Sequence, residues 1–299
     1  MCKDCLGNRG DINWADFRLG SDWMRTIFTW ETWISHYAGD CDCYDMPGVN
    51  AFTLMWDSLH VVEKGTAGHI IGNTLQRIIV QNDAVPGSMH KRCDTIWTEI
   101  QKEYDVEGVP TNRRLIKMEV KFFNTEETRN PSDYPQLSGH GIKAAQMRYL
   151  VKPILNVARR YTDNSPDYDL MLHCLEGLHG YYEIIHIDNI FLERDEATQL
   201  LAHVQQACVC YSALSRRAAD RGCRMWNLVP KFHYWWHLAR FAQYENPRCH
   251  WTYSSEDYVG RISKVAQSII YGTGVLRVGP KVITKFLRAL SVRFSRRKN

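Results

Sequence analysis

Apolar residues recur along this chain mainly at intervals of three and four, the spacing of one face of an α-helix. The repeat predicts helices over 22–37, 88–104, 143–161, 167–191 and 196–221, a further one that begins at Asp57, and a last one from about Ser254 to Tyr271. Three short stretches favour β-strands instead, at 51–56, 113–123 and 249–253. The pattern predicts a mainly α protein with a few strands.

The elements fall into four segments. These are a Cys- and Trp-rich lead-in at 1–50, a strand with helices at 51–124, a helical block at 139–226 and a closing segment at 227–299. The stretch between the second and third segments is polar and contains proline, which is typical of a linker.

An Asp and a His three residues apart stand at the predicted strand-to-helix junction. Asp57 can cap the helix there, and His60, one turn later, faces the same side. The pair is therefore a candidate for a phosphate or metal site. The alternative is a capping Asp beside a His that is bonded to a backbone carbonyl.

Composition narrows the class of protein. With 44% apolar residues among 299, the chain can form a packed core, while the lack of an apolar run of about 18 residues argues against a membrane span. The polar, Cys-bearing start predicts no secretory signal.

The formal net charge of +4 is small, but basic residues crowd the end of the chain. They lie opposite an apolar helical face and predict contact with DNA phosphates and a nuclear location; the alternative is a solvated surface helix with a frayed tail. The candidate DNA-binding residues are Lys281, Lys285, Arg288, Arg293, Arg296, Arg297 and Lys298.

Ten cysteines without a secretory signal indicate reduced thiols. Cys2 and Cys5 form a CxxC, and Cys41 and Cys43 form a CxC. Together they could supply four thiolates to one structural Zn²⁺, with His36 as an alternative ligand.

His233 and His237 would face one way in a helix and could also bind zinc. Their neighbours Trp235 and Trp236 favour a packed interior, so we interpret both as core histidines with backbone partners.

Glu256 and Asp257 follow two serines at a predicted helix start. A carboxylate at such a place can share a divalent cation with acids on neighbouring strands, as in two-metal nucleic-acid enzymes. Stabilisation of the helix dipole explains the same two acids equally well.

Four stretches together resemble one protein family. Asp57-x-x-His60 with Glu63-Lys64, followed by 70–75, is similar to the "D-x-M-H … I-G-x-L" segment of CACTA (En/Spm-like) DDE transposases and of related transposase-like proteins of fungi and protists. The further matches, in family order, are Cys2-x-x-Cys5 with 23–26, then 143–150, then Pro230-Lys231-x-His233 with His237 and Glu256-Asp257-x-x-Gly260.

The resemblance implies an RNase H-like core with a helical insertion, in which two Asp and one Glu hold Mg²⁺ or Mn²⁺ for DNA cleavage and joining. Glu256 then corresponds to the third acid and a metal ligand, while Asp57 and His60 form an accessory catalytic motif. Both family Asp residues precede the Cys-bearing segment with which this chain begins.

That order implies the C-terminal part of a transposase, with a partial RNase H-like core, two missing metal ligands and no activity alone. The alternative is a transposon-derived, non-catalytic DNA-binding or interaction protein. A third interpretation is a zinc-stabilised helical module with no nucleic-acid role.

Overall fold

The computed structural model describes residues 2–8, 10–37, 44, 46, 49, 53–82, 84–123, 134–137, 141–161 and 163–295. These residues form two compact units, Met1–His250 and Trp251–Asn299, which we call unit 1 and unit 2.

Unit 1 contains eight α-helices within the described ranges. They are α1 Asp22–Arg25, α2 Trp30–Tyr37, α3 Ala67–Gln76, α4 Met89–Val106, α5 Ala144–Arg160, α6 Pro166–Ile185, α7 Arg194–Asp220 and α8 Pro230–Phe241. Two π-helical segments, Leu59–Thr66 and Arg77–Gln81, continue α3 at its two ends, and three 3₁₀ turns lie at Thr111–Arg113, Val120–Phe122 and Pro247–His250.

The centre of unit 1 is α3, in which every residue is buried. A helix that is covered on all sides belongs to the core, and α3 packs against α5 and α6. The two longest helices of unit 1, α6 and α7, pack with their backbones close together at Gly177. A Cβ at this position would lie 2.4 Å from the carbonyl oxygen of His203.

Local sequence signals explain where the long helices begin. The Ser165 hydroxyl accepts a hydrogen bond from the Tyr168 N–H at 3.2 Å, and Pro166 occupies the first helical position of α6. Glu196 reaches back to the Glu193 N–H at 2.8 Å at the start of α7. The helices predicted over 88–104, 143–161 and 196–221 are confirmed to within two residues, because periodicity and caps agree there.

Two predicted helices differ from the structure. The helix expected over 22–37 is divided into α1 and α2, which are separated by non-helical residues 26–29. The helix expected over 167–191 ends at Ile185, where His186 is the C-cap.

The predicted strands are wrong, and with them the partial RNase H-like core. The described residues contain no strand and only one isolated bridge, between Asn8 and Asn13. Residues 53–56 form turn and coil, while 51 and 52 lie outside the described residues. Residues 114–119 connect two 3₁₀ turns, and 249–253 lead from a 3₁₀ turn into a helix. Alternating β-favouring residues form strands only where a partner strand is available, and the part of the chain that the structure describes contains none.

Unit 2 is a pair of helices, α9 Tyr253–Ile270 and α10 Val275–Ser295. The rings of Tyr258 and Phe286 meet edge to face at 5.1 Å, which joins the two helices. Among the helices of the described chain, none is both long and apolar enough to cross a membrane.

The contact between α6 and α7 can be tested with two glycines of α6. Gly177→Ala should lower the free energy of unfolding by about 1–3 kcal/mol, because the added methyl meets backbone that cannot move without shifting α7. Gly180→Ala is the matched control, since the atoms nearest to its Cβ, at 2.6 Å, belong to the His203 side chain, which can move without a shift of the α7 backbone. Urea denaturation of both variants measures the difference; equal losses would contradict this account of the packing.

Candidate metal centre

Two cysteines and two histidines converge at one buried point of unit 1. The donor atoms of Cys2, Cys5, His233 and His237 all lie within 4.8 Å of one another, and all four residues are buried. Cys5 Sγ is 3.2 Å from His233 Nε2, and His233 Nε2 is 3.1 Å from His237 Nε2.

This arrangement fits a tetrahedral zinc ion. Bond lengths of about 2.3 Å to sulfur and 2.0–2.1 Å to nitrogen place the donors of such a site roughly 3.3–3.8 Å apart. The observed separations bracket that range, so small side-chain shifts suffice to complete the geometry. Two thiolates with two neutral imidazoles are also a donor set that zinc prefers.

The histidine half of the site comes from α8. Pro230 begins this helix and fixes its first turn, so His233 and His237, four residues apart, project from the same face. The side chain of Trp235 does not occupy the space between the two histidines, because it packs against Tyr181 in the core.

The cysteine half comes from a tight N-terminal turn. The Asp4 N–H donates to Cys2 Sγ at 3.4 Å, and the Gly7 N–H donates to Cys5 Sγ at 3.3 Å. A Cβ at Gly7 would lie 3.2 Å from both Cys5 Sγ and the His233 ring, so a larger residue there would crowd the site. N–H donors of this kind stabilise thiolates.

Aromatic rings seal the centre from water. Trp23, which is fully buried, meets the rings of His233 at 4.4 Å, Trp236 at 4.8 Å and His237 at 5.5 Å. Its indole N–H donates to the Asp16 carbonyl at 2.6 Å. The N-terminal tryptophans therefore hold the two halves of the site together.

The two thiols affect each other's ionisation. A hydrogen bond from Cys2 lowers the pKa of Cys5, and the same contact, followed by burial, raises the pKa of Cys2. A first thiolate therefore forms more readily at Cys5 than at Cys2. Metal coordination is the usual means by which a second buried thiol loses its proton.

The structure supports part of the zinc prediction. Cys2 and Cys5 come together as expected, whereas His36 stacks on Phe28 away from the cluster. Cys41 and Cys43 lie outside the described residues. Among the described residues, the possible ligands beside the two cysteines are His233 and His237.

His233 and His237 are in the core, as interpreted, but the backbone partners assigned to them are not those observed. Within the described residues their side-chain hydrogen-bond contacts are with the two cysteines and with each other, and His233 Nδ1 is buried with no hydrogen-bond partner among those residues. The missed signal was the pairing of CxxC with HxxxH, which is Cys2His2 ligand spacing.

The Asp57–His60 pair forms as expected at the start of the helix. One Asp57 oxygen accepts the Leu59 N–H at 3.0 Å, and the other contacts His60 Nδ1. His60 is half exposed. Within the described residues the cysteine–histidine cluster is the only gathering of three or more possible metal ligands, so this pair belongs to no such group.

Glu256 lies in the first turn of α9 in unit 2, where its N–H donates to the Thr252 carbonyl at 2.8 Å. No second and third acid gather around it within the described chain, so the Mg²⁺ or Mn²⁺ site is unsupported.

The candidate DNA-binding residues belong to the same unit. Lys281, Lys285 and Arg288 lie on α10, as does Arg293. Arg296, Arg297 and Lys298 lie outside the described residues.

In comparisons with known proteins, no protein-family model, no curated protein and no solved structure matches the chain.

A buried acid follows the Asp57–His60 pair by one turn. Glu63 is fully buried, and neither of its carboxylate oxygens has a hydrogen bond of good geometry with another of the described residues. Burial raises the pKa of Glu63 to about 8, against smaller opposing effects of its own backbone N–H and of Arg148. The side chain is therefore largely protonated at neutral pH, and the folded state holds a proton that the unfolded chain releases near pH 4.5.

This proton makes stability depend on pH. Because the folded pKa is raised, the contribution of Glu63 is fully present below about pH 4.5 and is lost as the pH rises to about 8. Relative to Glu63→Gln, the wild type should lose stability across that window, by no more than about 5 kcal/mol. Chemical denaturation at several pH values measures it.

Asp94→Asn, an exposed change on α4, is the control and should show no such trend. A stability difference between Glu63→Gln and wild type that is the same at pH 5 and pH 8 would contradict the assignment.

Proposed function

We propose that Cys2, Cys5, His233 and His237 bind one structural Zn²⁺ in unit 1. The observation that carries this proposal is the convergence of four buried zinc-type donors within 4.8 Å. When bound, the ion supplies four strong bonds that join two distant parts of the chain.

The donor count favours a structural role over a catalytic one. Catalytic zinc sites usually keep a position for water or substrate beside three protein ligands, whereas four protein ligands close the coordination sphere. Trp23 and its neighbours also separate the cluster from solvent.

The link spans a long loop in sequence. Residues 5 and 233 are 228 positions apart, so a bond between them removes much of the freedom of the unfolded chain. The N-terminal segment is also held by the packing of Trp23 on Trp236 and by a hydrogen bond from Ser212 Oγ to the Ala15 carbonyl at 3.1 Å. Zinc would therefore add strong bonds to a contact that packing already makes.

Purified protein should contain one zinc ion per chain by elemental analysis. Cys5→Ser should lose the ion and destabilise unit 1 by several kcal/mol, since apparent zinc-binding free energies in zinc-finger peptides are about 10–16 kcal/mol. Thermal unfolding with and without a chelator gives the second measurement.

Cys223→Ser is the matched control, because that cysteine lies outside the cluster and is part-exposed. It should keep both the zinc and the melting temperature. Protein that folds fully without zinc, and is indifferent to the chelator, would exclude a structural ion.

We propose a second function, DNA binding, for a chain derived from a CACTA-type transposase and non-catalytic by itself. The observation in its favour is the charge on α10. Lys281 and Lys285 donate to the hydroxyls of Thr273 and Ser268 at 3.2 and 2.7 Å. Within the described residues neither forms an ion pair with a carboxylate, so their charge remains available to phosphates. A nuclear location accords with this proposal.

Binding of a labelled mixed-sequence DNA duplex should weaken as salt rises. The double change Lys281→Gln with Lys285→Gln should reduce the slope of log affinity against log salt by up to about 2, because each phosphate contact contributes about 0.9. Fluorescence anisotropy at several NaCl concentrations measures the slope.

Lys91→Gln with Lys102→Gln removes the same charge from exposed positions on α4 and should leave the slope unchanged. Equal slopes for both double variants would contradict a role for α10. The duplex should also stay intact with Mg²⁺; cleavage abolished by Glu256→Gln would contradict the non-catalytic proposal.

A further inference from the structure

Unit 2 exposes more apolar surface than its own helix pair covers. None of the described residues of α9 is buried, and the larger apolar side chains of the two helices include five that are more than half exposed. These are Val259, Ile270, Leu276, Ile283 and Leu287. We propose that these five residues form an interaction surface for a second copy of this chain, so that the unit 2 helices of two copies close into a four-helix bundle. The proposal depends on neither zinc nor DNA.

The ring contact between Tyr258 and Phe286, at 5.1 Å, defines the side on which each helix faces the other. Residues 271–274 join α9 to α10, and a connection this short makes the helices antiparallel. Each residue of an α-helix is rotated by about 100° from the one before it, so Val259 and Leu287 lie that far beyond the two rings that they follow. Equal rotations from the contact lead to the same side of an antiparallel pair, because reversing a helix axis reverses the sense in which its rotation is seen.

The other three apolar residues fall in line with Val259 and Leu287. Ile270 follows Val259 by eleven residues, which is about three turns, and therefore shares its side of α9. Leu276 and Ile283 precede Leu287 by eleven and four residues, so they lie on its side of α10. The two rows of side chains together form one side of the helix pair, which we call the apolar side.

Basic residues occupy the opposite side of the helix pair. Lys285 precedes Phe286 by one residue, and its ammonium donates to Ser268 Oγ across the pair at 2.7 Å. Lys281, one turn earlier, lies on the same side as Lys285. Within the described residues of α9 and α10, helical spacing places no charged residue on the apolar side. Two copies joined through their apolar sides would therefore turn these positive charges away from each other and meet without repulsion.

The area of the apolar side matches what a dimer needs. Complete burial of one Val, Leu or Ile side chain removes about 60–120 Å² from water, and that of one Tyr about 150–250 Å². The five residues, with Tyr271 and Val275 at the adjoining turn, are each more than half exposed. Two copies would bury roughly 1,000 Å² in total, which is near the lower limit for a specific interface. An interface of this size favours a reversible dimer whose population rises with concentration.

A second copy also supplies the layer of helices that unit 2 lacks. Its helices contain 18 and 21 residues, and modules this small usually need an additional source of stability such as oligomerisation. In a four-helix bundle, each helix buries its apolar stripe against the others. A two-fold axis through the apolar side uses the same surface on both copies, so one patch of side chains is enough to form the contact.

Sedimentation velocity of the full chain over a range of concentrations tests this proposal. The wild type should change reversibly from a 34.8 kDa monomer to a species of twice that mass. Ile283→Gln with Leu287→Gln should raise the dissociation constant of the dimer at least about 100-fold, because each change removes an apolar contact from both copies. Lys281→Gln with Lys285→Gln is the matched control, since it places the same residue on the opposite side of α10 and should leave the dimer intact.

Hydrogen–deuterium exchange locates the contact. Raising the concentration should slow exchange in α9 and α10 of the wild type but not of the Ile283→Gln, Leu287→Gln variant, whose circular dichroism should match the wild type because both side chains are exposed. A monomer at every concentration, an equal dissociation constant in variant and wild type, or protection confined to unit 1 would overturn the proposal. Binding to phosphatidylserine vesicles by a chain that stays monomeric would assign the apolar side to lipid instead.

Discussion

Unit 1 depends on one constraint, the meeting of an N-terminal turn with the first two turns of α8. Cys5 and His233 contact each other across 228 positions of sequence, and Trp23 packs against the histidine side of that contact. Four buried donors of this kind gain little from one another. The proposed zinc ion would account for their grouping, since a metal turns weak polar contacts into strong bonds and adds its binding energy to folding.

A second constraint lies at the centre of the helical bundle. It explains the residues Gly72 and Asn73 in the segment 70–75, which resembles the transposase family. The Asn73 amide donates to the carbonyls of His69 and Pro135 at 2.8 and 3.1 Å, and its oxygen accepts the Trp226 N–H at 2.7 Å. A Cβ at Gly72 would lie 2.7 Å from the Gln136 backbone. Gly72 and Asn73 therefore allow residues 135–136 and Trp226 to pack closely against α3. This role is structural and requires no contact with DNA.

Periodicity and capping residues predict α4, α5 and α7 because these signals act over a few neighbouring residues. They fail for the strands, since 113–123 has the alternation of a strand but finds no partner strand among the described residues. The metal centre was half predictable for the same reason. The CxxC motif can be recognised from neighbouring residues alone, but tertiary packing determines that it meets His233 and His237. The flanking tryptophans, which suggested an ordinary core, are the side chains that enclose the site.

The proposed metal centre and the positive surface of α10 are chemically independent. Two thiolates offset the charge of Zn²⁺, so a bound ion would add no net attraction for DNA and would act only on the fold. Attraction for phosphate would come instead from Lys281 and Lys285 of α10, which form no ion pair with a carboxylate within the described residues. The proposed DNA binding therefore needs no catalytic carboxylates, and its affinity would fall as salt rises.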